Sequence, residues 1–281
     1  MATEKPHLSP SQLESYARCP EAWRRRNIDK EIIPPAIVQL QGRGVHRGAA
    51  VNFTQKIESH ADLPASDIVD ASVAGFEAET AGGYLLSDEE LAVGQKKTLA
   101  QAKDQTAALA ELHATEAAPE YQPVLVEHPV RLNLPNSSHD LYGILDLADD
   151  KRRVVDHKTV KRKPSQVDVD SLLQLTYYAA AHRVATGELP SELRIEALIK
   201  TITPKRAVIT TQRTREDFQA LSNRINVVLK AIAAGIFPPA TPGAWWCDAR
   251  YCGYHPTCPY VRHQLVTIDL GKNNVEQKNG G

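Results

Sequence analysis

Leu141-Tyr-Gly-Ile-Leu-Asp-Leu-Ala-Asp-Asp-Lys-Arg-Arg-Val-Val-Asp-His-Lys158 is the stretch on which the fold turns. Leu141 to Leu147 reads as one strand and Arg153 to Lys158 as the next, with Asp149-Asp150-Lys151 as the turn of a hairpin. Residues two apart in a strand share a face, so Asp156 and Lys158 project to one side. Hairpin pairing can bring Asp146 beside Asp156. Two carboxylates at such a distance repel by about 4 kcal/mol at an effective dielectric near 20. A divalent, oxygen-seeking cation such as Mg²⁺ or Mn²⁺ relieves that repulsion. Lys158 then stands where it can position a water nucleophile or stabilise developing negative charge. Gly143 suits a point of close backbone approach. Taken alone, Asp-x-Lys is also a common salt-bridged hairpin.

Working outward, Val124 to Leu134 alternates apolar and polar residues and predicts a strand ending at Pro135-Asn136. Downstream, residues 171–186 predict a helix capped by Asp170 or Ser171 and ended by Gly187. It carries Gln174 and Tyr178, four apart and hence on one face. Strands follow near 193–201 and 206–212, then a helix opened by Thr214-x-x-Asp217 and closed at Gly235. Towards the N-terminus, Ser9 or Ser11 caps a helix with Leu13, Tyr16 and Ala17 at helical spacing, and Cys19-Pro20 breaks or restarts it. After Gly42 and Gly44 a helix is expected to begin, with His46 in its first turns. Residues 65–118, rich in Ala, Glu, Gln and Leu, predict helices interrupted near Gly82-Gly83. The order implies an α/β class with a mixed central sheet flanked by helices. No linker divides the chain, so residues 1–270 are expected to form one domain: helices over 8–118, a core over 121–236, a cysteine cluster over 245–260, and then a disordered tail at 271–281.

The 281 residues, 42% hydrophobic, are enough to bury a large core, which excludes a disordered chain. A net charge of −1 does not advertise nucleic-acid binding, but DNA responds to local field, and basic residues cluster at Arg24–Arg26, Lys151–Arg153 and Lys161–Lys163. Each cluster reads equally as solvated surface. MATEKPHLSP lacks the apolar stretch of a signal peptide and no run is long enough to span a membrane, so a cytoplasmic protein is expected. The absence of a Gly-x4-Gly-Lys-Ser/Thr loop excludes a helicase motor of P-loop type within the chain.

Four cysteines remain. Cys247, Cys252 and Cys258 form Cys-x4-Cys-x5-Cys near the C-terminus, and Cys19 is the only other cysteine. Three thiols within twelve residues point to a metal before a disulfide. Soft thiolates suit Zn²⁺ or an iron–sulfur cluster, and His255 could stand in as a ligand. Either would join the first helix to the C-terminal segment. Trp245, Trp246, Tyr251 and Tyr254 around the cysteines are expected to shield such a centre from solvent.

Gly143-x-x-Asp146, Asp156-x-Lys158 and Gln174-x-x-x-Tyr178, in this order, resemble the RecB-like branch of the PD-(D/E)XK nucleases, whose upstream histidine matches His46 in Gly42-Arg-Gly-Val-His46. The resemblance implies a restriction-endonuclease-like core, with His46, Asp146, Asp156 and the backbone carbonyl of His157 as metal ligands. It also implies a catalytic Lys158, with Gln174 and Tyr178 near the scissile phosphate. Ser-Tyr-x-x-Cys-Pro and the split cysteines resemble the iron–sulfur members of that branch. This implies a 4Fe-4S cluster on Cys19, Cys247, Cys252 and Cys258, although the four-residue gap after Cys247 departs from the two found in many members. The expected activity is Mg²⁺- or Mn²⁺-dependent hydrolysis of DNA, as an exonuclease on single strands or ends, with Lys161, Arg162 and Lys163 contacting the strand. A different reading is an end-processing subunit, active only with protein partners in a CRISPR-adaptation or recombination complex.

Overall fold

A computed structural model describes residues 5–135 and 137–261; the expected tail at 271–281 lies outside the described residues. The chain runs β1 (His7–Leu8), α1 (Pro10–Arg18), α2 (Pro20–Asn27), α3 (Ile37–Ser59), α4 (Ala65–Ala81), α5 (Asp88–Val93) and α6 (Gln95–Leu112). A π-helical turn at His113–Ala117 leads into β2 (Pro123–Leu132), β3 (Asp140–Asp149) and β4 (Arg153–Val160). There follow α7 (Gln166–Asp170), α8 (Leu173–Thr186), β5 (Glu192–Ile199), β6 (Lys205–Thr211) and α9 (Arg215–Ala233). The α/β class with a mixed sheet and flanking helices is as expected.

The sheet order is β1-β3-β4-β5-β6, with β2 also paired to β3. β2–β3, β3–β4 and β5–β6 are antiparallel, whereas β1–β3 and β4–β5 are parallel. Helices α1, α8 and α9 cover one face: Leu13, Leu141, Leu145, Val154, Leu175, Tyr177 and Ile225 share one core. On the opposite face Ala49 and Phe53 of α3 pack against Leu147, Val155 and Tyr121. Burying a Leu- or Phe-sized side chain stabilises by about 1.5–3 kcal/mol, so these two faces fix which side of each strand looks where.

Three local features differ from the sequence reading. α3 begins at Ile37, ahead of Gly42 and Gly44, so His46 sits in its third turn. The glycines permit close packing here and do not break the helix: a Cβ on Gly44 would lie 2.7 Å from the Ser72 carbonyl, and one on Gly48 only 1.9 Å from Ser72 Oγ. The expected helix over 171–186 is α8, ended by Gly187, but its N-cap is Leu172, which offers no side-chain acceptor, in place of Asp170 or Ser171, and the short α7, capped by Ser165, precedes it. Finally, a two-residue β1 precedes α1, whose cap is Ser9, one of the two expected, with a full capping box to Gln12.

Candidate active site

β3 and β4 are hydrogen-bonded only at Leu147–Val155 and Ala148–Val154. Asp146 and Asp156 are the next residues along each strand, where the pairing has stopped and the strands part. Side-chain bonds replace the missing ladder, and the His157 amide donates to Asp146 Oδ2 at 3.3 Å. On the other edge of β3 the regular alternation also slips. Leu141, Leu145 and Ala148 face the α8 side, whereas Leu147 faces α3. Opposite Asp146 in the β2–β3 register stands Glu127, whose φ of 44° is left-handed. Such a residue in mid-strand costs about 1–3 kcal/mol and persists only where its surroundings enforce it. The slip lets Asp146 meet groups from both faces of the sheet.

From the α8 side comes a directed hydrogen-bond relay. Lys158 Nζ lies 3.0 Å from Asp156 Oδ1 and donates to Gln174 Oε1 at 2.9 Å. Gln174 Nε2 donates to the Tyr178 hydroxyl at 2.8 Å, and that hydroxyl donates to Asp146 Oδ1 at 3.1 Å. Every donor points the same way, from the cation to the carboxylate, which fixes the Gln174 amide orientation. Gly143 makes this possible. A Cβ there would sit 2.8 Å from Tyr177 Cε1, so only glycine lets α8 lie this close to β3.

From the α3 side comes His46. Its Nε2 is 2.7 Å from the His157 carbonyl oxygen and its Nδ1 is 3.5 Å from Asp146 Oδ2. Ligand atoms of His46, Glu127 and Asp146 all lie within 4.8 Å of one another, the one such group of His, Cys, Asp or Glu among the described residues. Asp156 is wholly buried, and its Oδ2 makes no hydrogen bond although the Lys158 ammonium is near. Burial pushes the Asp156 carboxyl up to about 6, with Lys158 opposing and Asp146 adding to the rise. Burial pulls the Lys158 ammonium down, but Asp156 and Asp146 together hold it above its usual range. Burial and then Asp146 raise Glu127.

All seven residues expected at the metal and catalytic centre, His46, Asp146, Asp156, His157, Lys158, Gln174 and Tyr178, meet in one place. Three others went unpredicted or underrated. Glu127 lies on the strand before Asp146, within reach of the site, although a partly exposed carboxylate is the commoner reading of a strand Glu. Glu14 of α1 faces Lys158 and the Gln174 amide, at the start of a helix that lacks its own cap. His113, fully buried in the π-helical turn, packs edge-on at 5.1 Å against the His157 ring. Neither the His113 nitrogens nor His157 Nε2 has a hydrogen-bond partner, and burial holds His113 down to about 4. The motif order carried no signal for any of them.

A family profile described as the PD-(D/E)XK nuclease superfamily matches residues 7–259. The chain belongs to that superfamily. Among solved structures it is similar to one from Eubacterium rectale, provisionally named an exonuclease, with 14% identity, a TM-score of 0.54, and 95% of this chain and 93% of that chain covered. At that identity the likeness concerns the fold. A second, SSO0001, is 13% identical over 92% of this chain and 89% of that chain, with a TM-score of 0.41 too low to carry an argument. No curated protein matches the chain. PD-(D/E)XK enzymes are nucleases that use divalent metal ions, and the group of His46, Glu127 and Asp146 on α3, β2 and β3 is a candidate site for one.

Cys19, Cys247, Cys252 and Cys258 all line a single cavity of about 1000 Å³, together with Arg162 from the loop after β4. The sulfurs do not close to single-ion spacing, since no three of them lie within 4.8 Å of one another. A tetrahedral zinc thiolate site, with Zn–S near 2.3 Å, would need about 3.8 Å. Burial and neighbouring thiols push Cys247 and Cys252 up. The segment is held to the N-terminal helices by side chains: Arg25 donates to Thr257 Oγ1 at 2.5 Å, and the Tyr254 hydroxyl to the Glu31 carbonyl at 2.7 Å. The aromatic shield is only partly as expected. Tyr254 is buried, but Trp245 and Tyr251 are 62% and 58% exposed. Lys161, Arg162 and Lys163 are exposed on the loop that leaves β4.

Proposed function

We propose that the chain, acting as one nuclease domain, is a Mg²⁺- or Mn²⁺-dependent deoxyribonuclease that hydrolyses phosphodiester bonds in single strands or at DNA ends. The observation that carries this reading is Asp146 and Asp156 at the point where β3 and β4 part, joined through Lys158, Gln174 and Tyr178. Asp146, Asp156, His46 and the His157 carbonyl would hold the cation, with Glu127 as an added carboxylate. The donor set is hard oxygen plus one imidazole, and the buried Asp156 carboxylate, whose Oδ2 lies 2.8 Å from the Lys158 ammonium, brings a second negative charge to it. A bound divalent ion would polarise the phosphodiester and acidify the attacking water. Lys158 remains protonated beside Asp156 and offers its charge to a phosphate oxygen. Tyr178 holds Asp146 in one rotamer, and Lys158 is held between both Asp156 oxygens and Gln174 Oε1. Lys161, Arg162 and Lys163 extend this positive field along the strand path.

For the four cysteines the reading is a 4Fe-4S cluster that ties α1 to the C-terminal segment. What supports it is the large cavity that all four cysteines line, and the Ala22 amide directed at Cys19 Sγ at 3.5 Å. Protein purified without oxygen should contain iron and acid-labile sulfide in near-equal amounts; stoichiometric zinc without iron would overturn the cluster. The same protein with Mg²⁺ or Mn²⁺ should degrade an end-labelled linear single strand and spare a circular one. Rapid cutting of the circle would show endonuclease action. Failure on both, with cation bound, would remove the free-standing nuclease reading.

A further inference from the structure

The C-terminal segment exposes more aromatic surface than shielding a metal centre requires. Trp245 and Tyr251 stand edge to face with ring centroids 5.1 Å apart, and Trp246 lies edge-on to Trp245 at 5.7 Å. Cations surround the group. The Arg18 guanidinium is 6.0 Å from the Trp245 ring centre and 5.5 Å from that of Trp246, and Arg250 is 5.4 Å from that of Tyr251. The nearby carboxylates are engaged: Asp248 by Arg250 at 2.9 Å, and Glu21 by Arg24 at 2.8 Å. Tyr254, by contrast, is buried under Arg25, so shielding falls to a different ring.

Two chain segments lead from this patch towards the candidate active site. Arg162, four residues beyond Lys158, lines the same cavity as Trp245 and Tyr251. Arg18 lies one turn along α1 from Glu14, which faces Lys158, and Trp246 Nε1 donates to the Arg18 carbonyl at 3.3 Å. Exposed rings interleaved with arginines suit a flexible polyanion with stackable faces. Bases stack on aromatic side chains whatever their sequence, and cations follow the phosphates. A duplex, whose bases are already stacked, cannot use the rings.

We propose that Trp245 and Tyr251 form a stacking platform for single-stranded DNA, which Arg18, Lys161 and Arg162 lead on to the Asp146–Asp156 site. The proposal deepens the deoxyribonuclease reading and rests on it for the direction of the strand. It specifies the form of substrate: an unpaired strand long enough to reach from the platform to the metal ligands.

The test compares two oligonucleotides of equal length and charge, one a normal single strand and one with abasic sugars along its whole length. Binding is measured by fluorescence anisotropy in Ca²⁺ with the full chain purified without oxygen. Wild type should bind the normal strand about tenfold or more tightly than the abasic one, given typical base–aromatic stacking. Trp245→Ala with Tyr251→Ala should bring that ratio close to one while keeping affinity for the abasic strand. Trp245→Phe with Tyr251→Phe should restore most of the ratio. A wild-type ratio of one, or an alanine variant that keeps the wild-type ratio, overturns the platform. Cleavage of linear DNA by wild type with Mg²⁺ is read separately. If it fails while the ratio and its loss are seen, the nuclease reading falls and the single-strand surface stands.

Discussion

The Asp146–Asp156 site and the cysteine-bearing segment at 239–261 are organised in opposite ways. At the first, strand register and two packed faces place every side chain, and the relay from Lys158 to Asp146 closes on groups that belong to β3, β4 and α8. At the second, the one helical element is the 3-10 turn His255–Thr257, and a few tethers such as Arg25–Thr257 and Tyr254–Glu31 join it to the rest. Backbone pairing makes a site rigid with or without its ion. A segment held by side chains depends on each of those tethers, and the proposed cluster on the four cysteines would add a cross-link to them.

The sharpest way to break this comparison is at the chemistry. Asp146→Asn keeps an acceptor for Tyr178 but removes the charge, and should slow DNA cleavage roughly a thousandfold or more, since an ion's charge stabilisation is worth several kcal/mol. Its circular dichroism melt should match wild type. Full activity would show that the site is wrongly placed.

Cys19→Ser addresses the other region. In the proposed cluster Cys19 is the ligand from the α1–α2 junction, so its loss should loosen the C-terminal segment by about 4 kcal/mol, on the order of closing a long loop. Limited proteolysis should cut within 239–261 far sooner, with little change at β3 and β4. Equal loosening of both would abolish the contrast.

Acid should act on the core selectively. His113 is wholly buried and held down to about 4, against an ordinary value of 6.5. Above pH 6.5 both folded and unfolded chains leave it neutral, so its burial costs no protonation free energy. As pH falls below 6.5 the unfolded chain takes up the proton first, and stability declines until about pH 4, by about 3 kcal/mol in all. Burial depresses His157 as well, which steepens the slope. His113→Leu should remove its share in urea titrations across this range, and an unchanged slope would sink the assignment.

Gly143→Ala should have the smallest effect. The new methyl meets Tyr177 at 2.8 Å and must lift α8 slightly from β3, costing about 2 kcal/mol. Because α8 carries Gln174 and Tyr178, cleavage should fall by about tenfold while DNA affinity stays within a factor of two or three. A stability loss without a rate effect would mean that the relay does not position Lys158.

Much of the fold and most of the site were legible along the chain. The Asp156-x-Lys158 pairing on one face, the hairpin that carries Asp146 to Asp156, and Gln174 stacked over Tyr178 follow from periods of two and about 3.6 residues, which are properties of the local backbone. The close-approach role of Gly143 was legible for the same reason. Tertiary structure alone decided the rest. It made Gly42 and Gly44 interior residues of α3, where a Cβ would meet Thr159 Oγ1 of β4 at 2.9 Å and the Ser72 carbonyl of α4 at 2.7 Å. It brought Glu127 to His46 and Asp146 through a slip in alternation that no local period encodes, and put Glu14 and His113 behind Lys158 and His157 from helices far off in sequence. It left Trp245 and Tyr251 in solvent while burying Tyr254 beside Arg25. Periodicity says which residues share a face; what lies opposite that face depends on long-range packing, and the chain acquires that only on folding.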